Sequence, residues 1–177
     1  MAKYRMEEPN SPFMFQVGDR IITLNCPRPY SGWTDFRKEI LALVKIVVDS
    51  GLVPAPLRHS LRYIDLLTLD PAPDLSSLQL SSTLGTFDLH AKPLQMRVEL
   101  PDERCTHVVQ IATPAQVMFP EGKKVGSIVD IESFYTESST DWKMIATQID
   151  HLHKRSHVLF FESILTQTAI ELMEPEY

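Results

Sequence analysis

LQMRVELPDERCTHVVQIATPAQVMFPEGKKVGSIVDIESFY, residues 94–135, decides the fold. Leu94, Met96, Val98 and Leu100 alternate with Gln95, Arg97 and Glu99. A period of two sends the apolar side chains to one face of a strand. Pro101–Thr106 reads as a loop and His107–Thr113 as the next strand. Pro114 predicts a bulge or an edge, because proline has no N–H to give a ladder, and Gln116–Phe119 extends the strand. Pro120–Lys124 reads as a hairpin loop and Val125–Tyr135 as a long return strand. Connections this short make consecutive strands antiparallel. The stretch is a β-meander, with Leu84–His90 as the run that leads into it.

Upstream, Leu57–Leu67 reads as a further strand. Leu57, His59, Leu61, Tyr63 and Asp65 take one side; Arg58, Ser60, Arg62 and Ile64 take the other. Residues 70–83 form a loop of little pattern, long enough to be a mobile or functional segment. Phe36, Ile40, Leu43, Val44, Val47 and Val48 recur at helical spacing, with Ser31 or Thr34 as cap and Gly51 as terminator. The thin polar stripe of Lys38, Ala42, Lys45 and Asp49 predicts that protein covers most of this helix. Phe13–Val17 and Arg20–Asn25 flank Gly18-Asp19, a hairpin signal. Residues 1–11 read as a flexible arm and 12–177 as a single domain.

Downstream, Ser138 and Asp141 resemble a capping box. Trp142, Ile145, Ile149, Leu152, Leu159, Phe160 and Ile164 keep a helical repeat. One helix of about 30 residues, or two broken near Ser156, fits it. The fold class that follows is α+β. An antiparallel sheet of roughly five to seven strands is packed by one helix in the N-terminal half and one long C-terminal helix.

Composition bounds the function. With 44% hydrophobic and 23% charged residues, the chain folds rather than staying disordered. A formal charge of −6 argues against general affinity for nucleic-acid backbone. Ile40–Val48, the longest apolar run, is too short to span a bilayer. The N-terminus has no apolar stretch of the secretory kind. Two cysteines, Cys26 and Cys105, sit in no metal-knuckle or disulfide pattern and fit a reducing cytoplasm. No phosphate loop, dinucleotide fingerprint or nucleophile elbow is present. The sequence therefore implies no cofactor and leaves enzymatic activity without a catalytic residue to carry it.

Several residues stand as binding candidates. Arg58 and Arg62 share a strand face, so two guanidinium forks there would suit a phosphate or carboxylate. Tyr63 and Asp65 neighbour them in sequence and complete a candidate ligand site. The competing reading pairs the arginines with Asp65, Asp130 or Glu132. Tyr30 and Trp33 offer an aromatic platform for a partner, or pack on the helix they precede. Lys123 and Lys124 at a hairpin tip would touch phosphate once a partner holds them there. His153 and His157, four apart on a helix, are weak candidates for metal, against a solvated helical turn. Asp88, Glu99, Asp130 and Glu132 are carboxylates on strands that would suit acid–base work or Mg²⁺ if paired in a cleft. Cys105 lies beside Arg104 and His107, cations that would lower a thiol pKa.

Arg20–Asn25, Tyr30-Ser-Gly-Trp33, Leu61-Arg-Tyr-Ile-Asp65, Leu152-His153, Phe160-Phe161 and Ile164-Leu-Thr166 together resemble a sporadically distributed, uncharacterised prokaryotic protein family. The resemblance spans roughly residues 13–172, in motifs that are short. Members usually carry Arg-Tyr-Ile-Asn where this chain ends the motif in Asp65. They are typically longer, which implies a chain that begins partway in. The family brings no catalytic residues to carry over. Its patchy distribution suits antiviral defence or toxin–antitoxin systems. The expectation is a non-enzymatic binding or assembly module, an accessory subunit of a prokaryotic multi-protein system. A protein partner or a homo-oligomer is expected, nucleic acid only within a complex, and no membrane. The alternative is a small enzyme or sensor that takes a phosphorylated ligand on Arg58 and Arg62.

Overall fold

The structure, a computed structural model, describes residues 2–7, 9–27, 29–135 and 141–173. It has the expected α+β class, with antiparallel sheets and a long helix near the C-terminus. Contacts divide the chain into two compact units, Met1–Pro56 and Leu57–Tyr177. Sequence reading placed no boundary at Pro56.

The first unit holds β1 (Ala2–Glu7), β2 (Met14–Gly18), β3 (Ile22–Asn25) and α1 (Trp33–Ser50). The strands form an antiparallel sheet in that order. Ala2–Glu7 was expected in a flexible arm, yet it pairs with β2 from Ala2↔Gly18 to Glu7↔Met14. The missed signal is the alternation of Ala2, Tyr4 and Met6 with Lys3, Arg5 and Glu7. Neither expected residue caps α1. Gly32 is the N-cap, at φ 86°, without a side-chain bond. Gly51 ends the helix in the left-handed conformation, as expected, with its N–H on the Val48 carbonyl. Phe36 is buried against Phe13 and Tyr30, whereas Ile46 and Val48 are exposed, so the thin polar stripe overstated the helix's coverage.

The second unit is built on β4 (Ser60–Leu67), β7 (Leu94–Asp102), β8 (Cys105–Phe119) and β9 (Gly122–Tyr135), in spatial order β4-β9-β8-β7. The meander is as read, with tighter turns: Asp102 pairs with Cys105 and Phe119 with Gly122. Four strands here and three in the first unit replace the single larger sheet. Leu84–His90 does not join it. Thr83–Leu84 (β5) and Phe87–Asp88 (β6) pair only with each other, turning at Gly85. A register shift between Ala112 and Ala115 marks the expected bulge at Pro114. β7 pairs with β8 only as far as Thr113, so the missing N–H of Pro114 interrupts no bond to it.

Asp141 caps a 3₁₀ turn, Trp142–Met144, by accepting from the Lys143 N–H at 2.9 Å. Ser138, its expected capping partner, lies outside the described residues. α2 (Ile145–Val158) follows and passes Ser156 without a break. It continues as a π-helical turn, Leu159–Ile164, closed by the Leu165 N–H on the Phe160 carbonyl at 3.0 Å. Leu165 is extended and α3 (Gln167–Met173) comes after it. Residues 70–83 are a structural plug rather than a loose loop. Leu75 and Leu78 are buried, and Leu78 bridges Leu165. The core joins these two leucines to Leu67, Val109, Ile111, Val129, Ile131, Phe160, Ile164, Leu165 and Ala169. Each fully buried aliphatic side chain contributes about 1.5–3 kcal/mol. No helix among the described residues is long and apolar enough to cross a membrane.

Candidate functional site

The expected ligand site is split by the strand that was to build it. Leu61 and Leu67 of β4 are buried on the side that faces α2, and Tyr63 and Asp65 share that side. Arg58 and Arg62 project from the opposite side. The β4–β9 register sets Arg62 beside Glu132 and Ile64 beside Asp130. Arg62 donates from Nε to Asp130 Oδ1 at 2.7 Å and from Nη2 to Oδ2. Arg58 bonds Glu132 at 3.1 Å and lies over the Phe134 ring at 3.8 Å. Both guanidinium groups are thus engaged by carboxylates that sequence reading named as the competing partners. The other strand carboxylates are also in local contacts. Glu99 pairs with Arg97 at 2.7 Å, and Asp88 accepts the His90 N–H at 2.9 Å.

On the helix side, Tyr63 Oη is 2.9 Å from His153 Nδ1, and Tyr135 Oη is 2.9 Å from His151 Nδ1. Burial, then the neighbouring His157, hold His153 below the usual imidazole value, against the pull of Asp150. Burial does the same to His59, whose buried Nε2 has no hydrogen-bond partner among the described residues. Burial alone pushes the Asp65 carboxyl up to about 6. His153 and His157 lie with ring centroids 6.3 Å apart, and His157 packs against Phe161 at 4.6 Å. Among the described residues they belong to no three-ligand group.

Such a group does form at the β7–β8 turn, from Asp102, Cys105 and His107, whose ligand atoms all lie within 4.8 Å of one another. Cys105 and His107 are two apart on β8, so both side chains point inward, and each is 1% exposed. The tight turn sets Asp102 opposite Cys105. His107 Nε2 is 3.2 Å from Asp102 Oδ2 and 3.7 Å from Cys105 Sγ. Arg155 of α2 grips both carboxylate oxygens, Nε to Oδ2 at 2.7 Å and Nη2 to Oδ1 at 2.6 Å. These bonds hold the Asp102 carboxyl below its usual range. Burial and the Asp102 charge push the Cys105 thiol up to about 11, the reverse of the expected lowering. His107 Nδ1 is 2.6 Å from Ser133 Oγ, which is 2.7 Å from Ser156 Oγ. Ser156 in turn donates to the Leu152 carbonyl at 2.8 Å. Cys105 was expected in a loop; the signal passed over is the spacing Cys105-x-His107, which on a strand puts both side chains on one face. Asp102, Ser133, Arg155 and Ser156 arrive by register and helix packing.

Asp102, His107 and Ser133 lie in line, which invites comparison with a hydrolase triad. Ser133 is 0% exposed and bonded to Ser156, so no substrate carbonyl reaches its oxygen.

The partner-binding candidates lie elsewhere. Tyr30 is exposed, with its ring edge-on to Phe36 at 6.1 Å, and Trp33 opens α1 half-buried. Lys123 and Lys124 belong to the first residues of β9. Lys124 is 3.7 Å from Glu121 and 5.5 Å from the Phe119 ring centroid. No family model, curated protein or solved structure matches the chain.

Proposed function

We propose that this chain is a non-enzymatic binding or assembly module that docks a protein partner through the end of the β8–β9 hairpin. The supporting observation is a two-stranded ribbon that outruns the sheet. β7 pairs with β8 only as far as Thr113, and β4 pairs with β9 only from Ser127. From Ala115↔Gly126 to Phe119↔Gly122 the two strands pair with each other alone among the described strands. Each therefore offers an outer edge to an added strand. Met118 pairs with Lys123, and Gln116 with Val125, so these four side chains share one face. Met118 is 76% and Val125 46% exposed there. An apolar pair beside a lysine suits a partner strand with apolar and acidic side chains. The family resemblance adds the setting, an accessory subunit of a prokaryotic multi-protein system of the defence or toxin–antitoxin type.

The phosphorylated-ligand alternative lacks comparable support, since Arg58 and Arg62 already face Glu132 and Asp130. Light scattering on the eluting full chain tests the docking reading, together with co-purification of neighbouring gene products. The expected result is a mass above the 20.2 kDa of one chain, or a retained partner. Met118→Asp with Val125→Asp should abolish it while circular dichroism stays unchanged. A single-chain mass at every concentration with no product retained, or association indifferent to the double substitution, would overturn it.

A further inference from the structure

We propose that Asp102, Cys105 and His107 form a binding site for a divalent transition metal, Zn²⁺ by preference, at the β7–β8 turn. The Leu152 carbonyl only accepts, so the Ser156 hydroxyl proton points to it. Ser156 Oγ must then accept from Ser133, whose own proton is thereby committed. Ser133 Oγ in turn accepts from His107, which places a proton on Nδ1. Nε2 is the ring atom that faces the carboxylate oxygen of Asp102 and the sulfur of Cys105. Nε2, the Asp102 carboxylate and the Cys105 sulfur, whose thiol donates to the Asp102 backbone carbonyl at 3.3 Å, stand together as a three-donor set that a metal would take with loss of the thiol proton.

The geometry and the donor set favour the metal. Zn–S and Zn–N bonds of about 2.3 and 2.05 Å at a tetrahedral angle put sulfur and nitrogen about 3.6 Å apart, and nitrogen and oxygen about 3.3 Å apart. The observed separations are 3.7 and 3.2 Å, and the sulfur and the carboxylate oxygen lie within 4.8 Å of each other, so the side chains close in on the ion as it binds. Thiolate, imidazole and carboxylate are the ligands zinc takes, and the sulfur argues against Mg²⁺ or Ca²⁺. A ligating histidine characteristically donates its other N–H to a fixed acceptor, as Nδ1 does here to Ser133. Arg155 orients the carboxylate through both of its oxygens and shares Oδ2 with His107. The Asp102 side chain is 22% exposed and gives a route in from solvent. Three protein ligands leave the fourth tetrahedral position for water or an added ligand.

The test uses the full chain, stripped with a chelator, kept reduced without thiols and titrated with Co²⁺. The expected result is a thiolate-to-cobalt absorption band that saturates at one equivalent and is displaced by Zn²⁺. Cys105→Ala should lose the band and Cys26→Ala should keep it. Ser133→Ala should weaken binding by about 10–100-fold, because it frees the imidazole orientation without removing a ligand. On the unsubstituted protein, free Zn²⁺ at about a hundred times Kd should raise the unfolding midpoint by roughly 5–10 °C. No cobalt band and no Zn²⁺-dependent shift in the unsubstituted protein would overturn the site. A band that follows Cys26 instead would overturn it equally.

Discussion

Asp65 lies on the helix-facing side of β4 between Tyr63 and Leu67, and its carboxyl there titrates at about 6. In the unfolded chain it titrates near 4. Between about pH 4 and pH 6 the folded protein holds a proton that the unfolded chain has released. Stability from this group therefore falls as the pH rises through that window and stays lowered above it. A shift of about two units is worth at most about 3 kcal/mol. His59 and His153 act with the opposite sign. Burial lowers both below their usual value, so their contribution is present at neutral pH and is lost as the pH falls below about 6.5. The two slopes offset each other in the unsubstituted chain. Asp65→Asn keeps the shape and removes the charge. Denaturant unfolding should show the variant equal to the parent near pH 4 and more stable near pH 7.5, by up to about 3 kcal/mol. The histidine slope should then emerge between these limits. A variant no more stable at neutral pH would show that the carboxylate is solvated as it ionises.

Among the elements, β7 was legible because one face is wet and the other packed, which leaves a clean alternation at Leu94–Leu100. Strand β9 was legible as the return from the Pro120–Lys124 turn, and the register it adopts explains why two of the carboxylates named for Arg58 and Arg62 do hold them. What periodicity could not supply was proximity. Arg155 reaches Asp102 across 53 positions, and Ser133 reaches His107 across 26, through helix packing and strand pairing that no local pattern encodes. Close approach of backbones is equally silent in the sequence. Gly126 of β9 lies against the end of β4, where an added Cβ would stand 2.2 Å from the Leu67 carbonyl oxygen. That atom is backbone held in the β4 ladder and cannot swing aside. Gly126→Ala should therefore push β4 and β9 apart at their Leu67–Ser127 end, at a cost of about 1–3 kcal/mol. Faster amide exchange at Leu66 and Leu67 would locate the damage. A variant as stable as the parent would mean that β4 yields there freely.

At the scale of the whole molecule, the central hydrophobic cluster lies entirely within one unit. Every one of its buried members, from Leu67 to Ala169, follows Pro56 in the chain. The plug at Leu75 and Leu78, the sheet face at Val109, Ile111, Val129 and Ile131, and the π-helical turn at Phe160 and Ile164 enclose it without residues of the first unit. A segment with its own core folds independently when that core is contiguous and its sheet is fully connected. Residues 57–177 meet both conditions, since β4-β9-β8-β7 is an unbroken ladder. The first 56 residues do not: Phe36 is the one buried side chain of α1, and chains of this length are marginal even with a full core. Expressed alone, 57–177 should unfold in one cooperative thermal transition with a structured near-ultraviolet spectrum, and 1–56 should show neither. A non-cooperative melt of 57–177 would locate part of its stability in the first unit, despite a core that is complete without it.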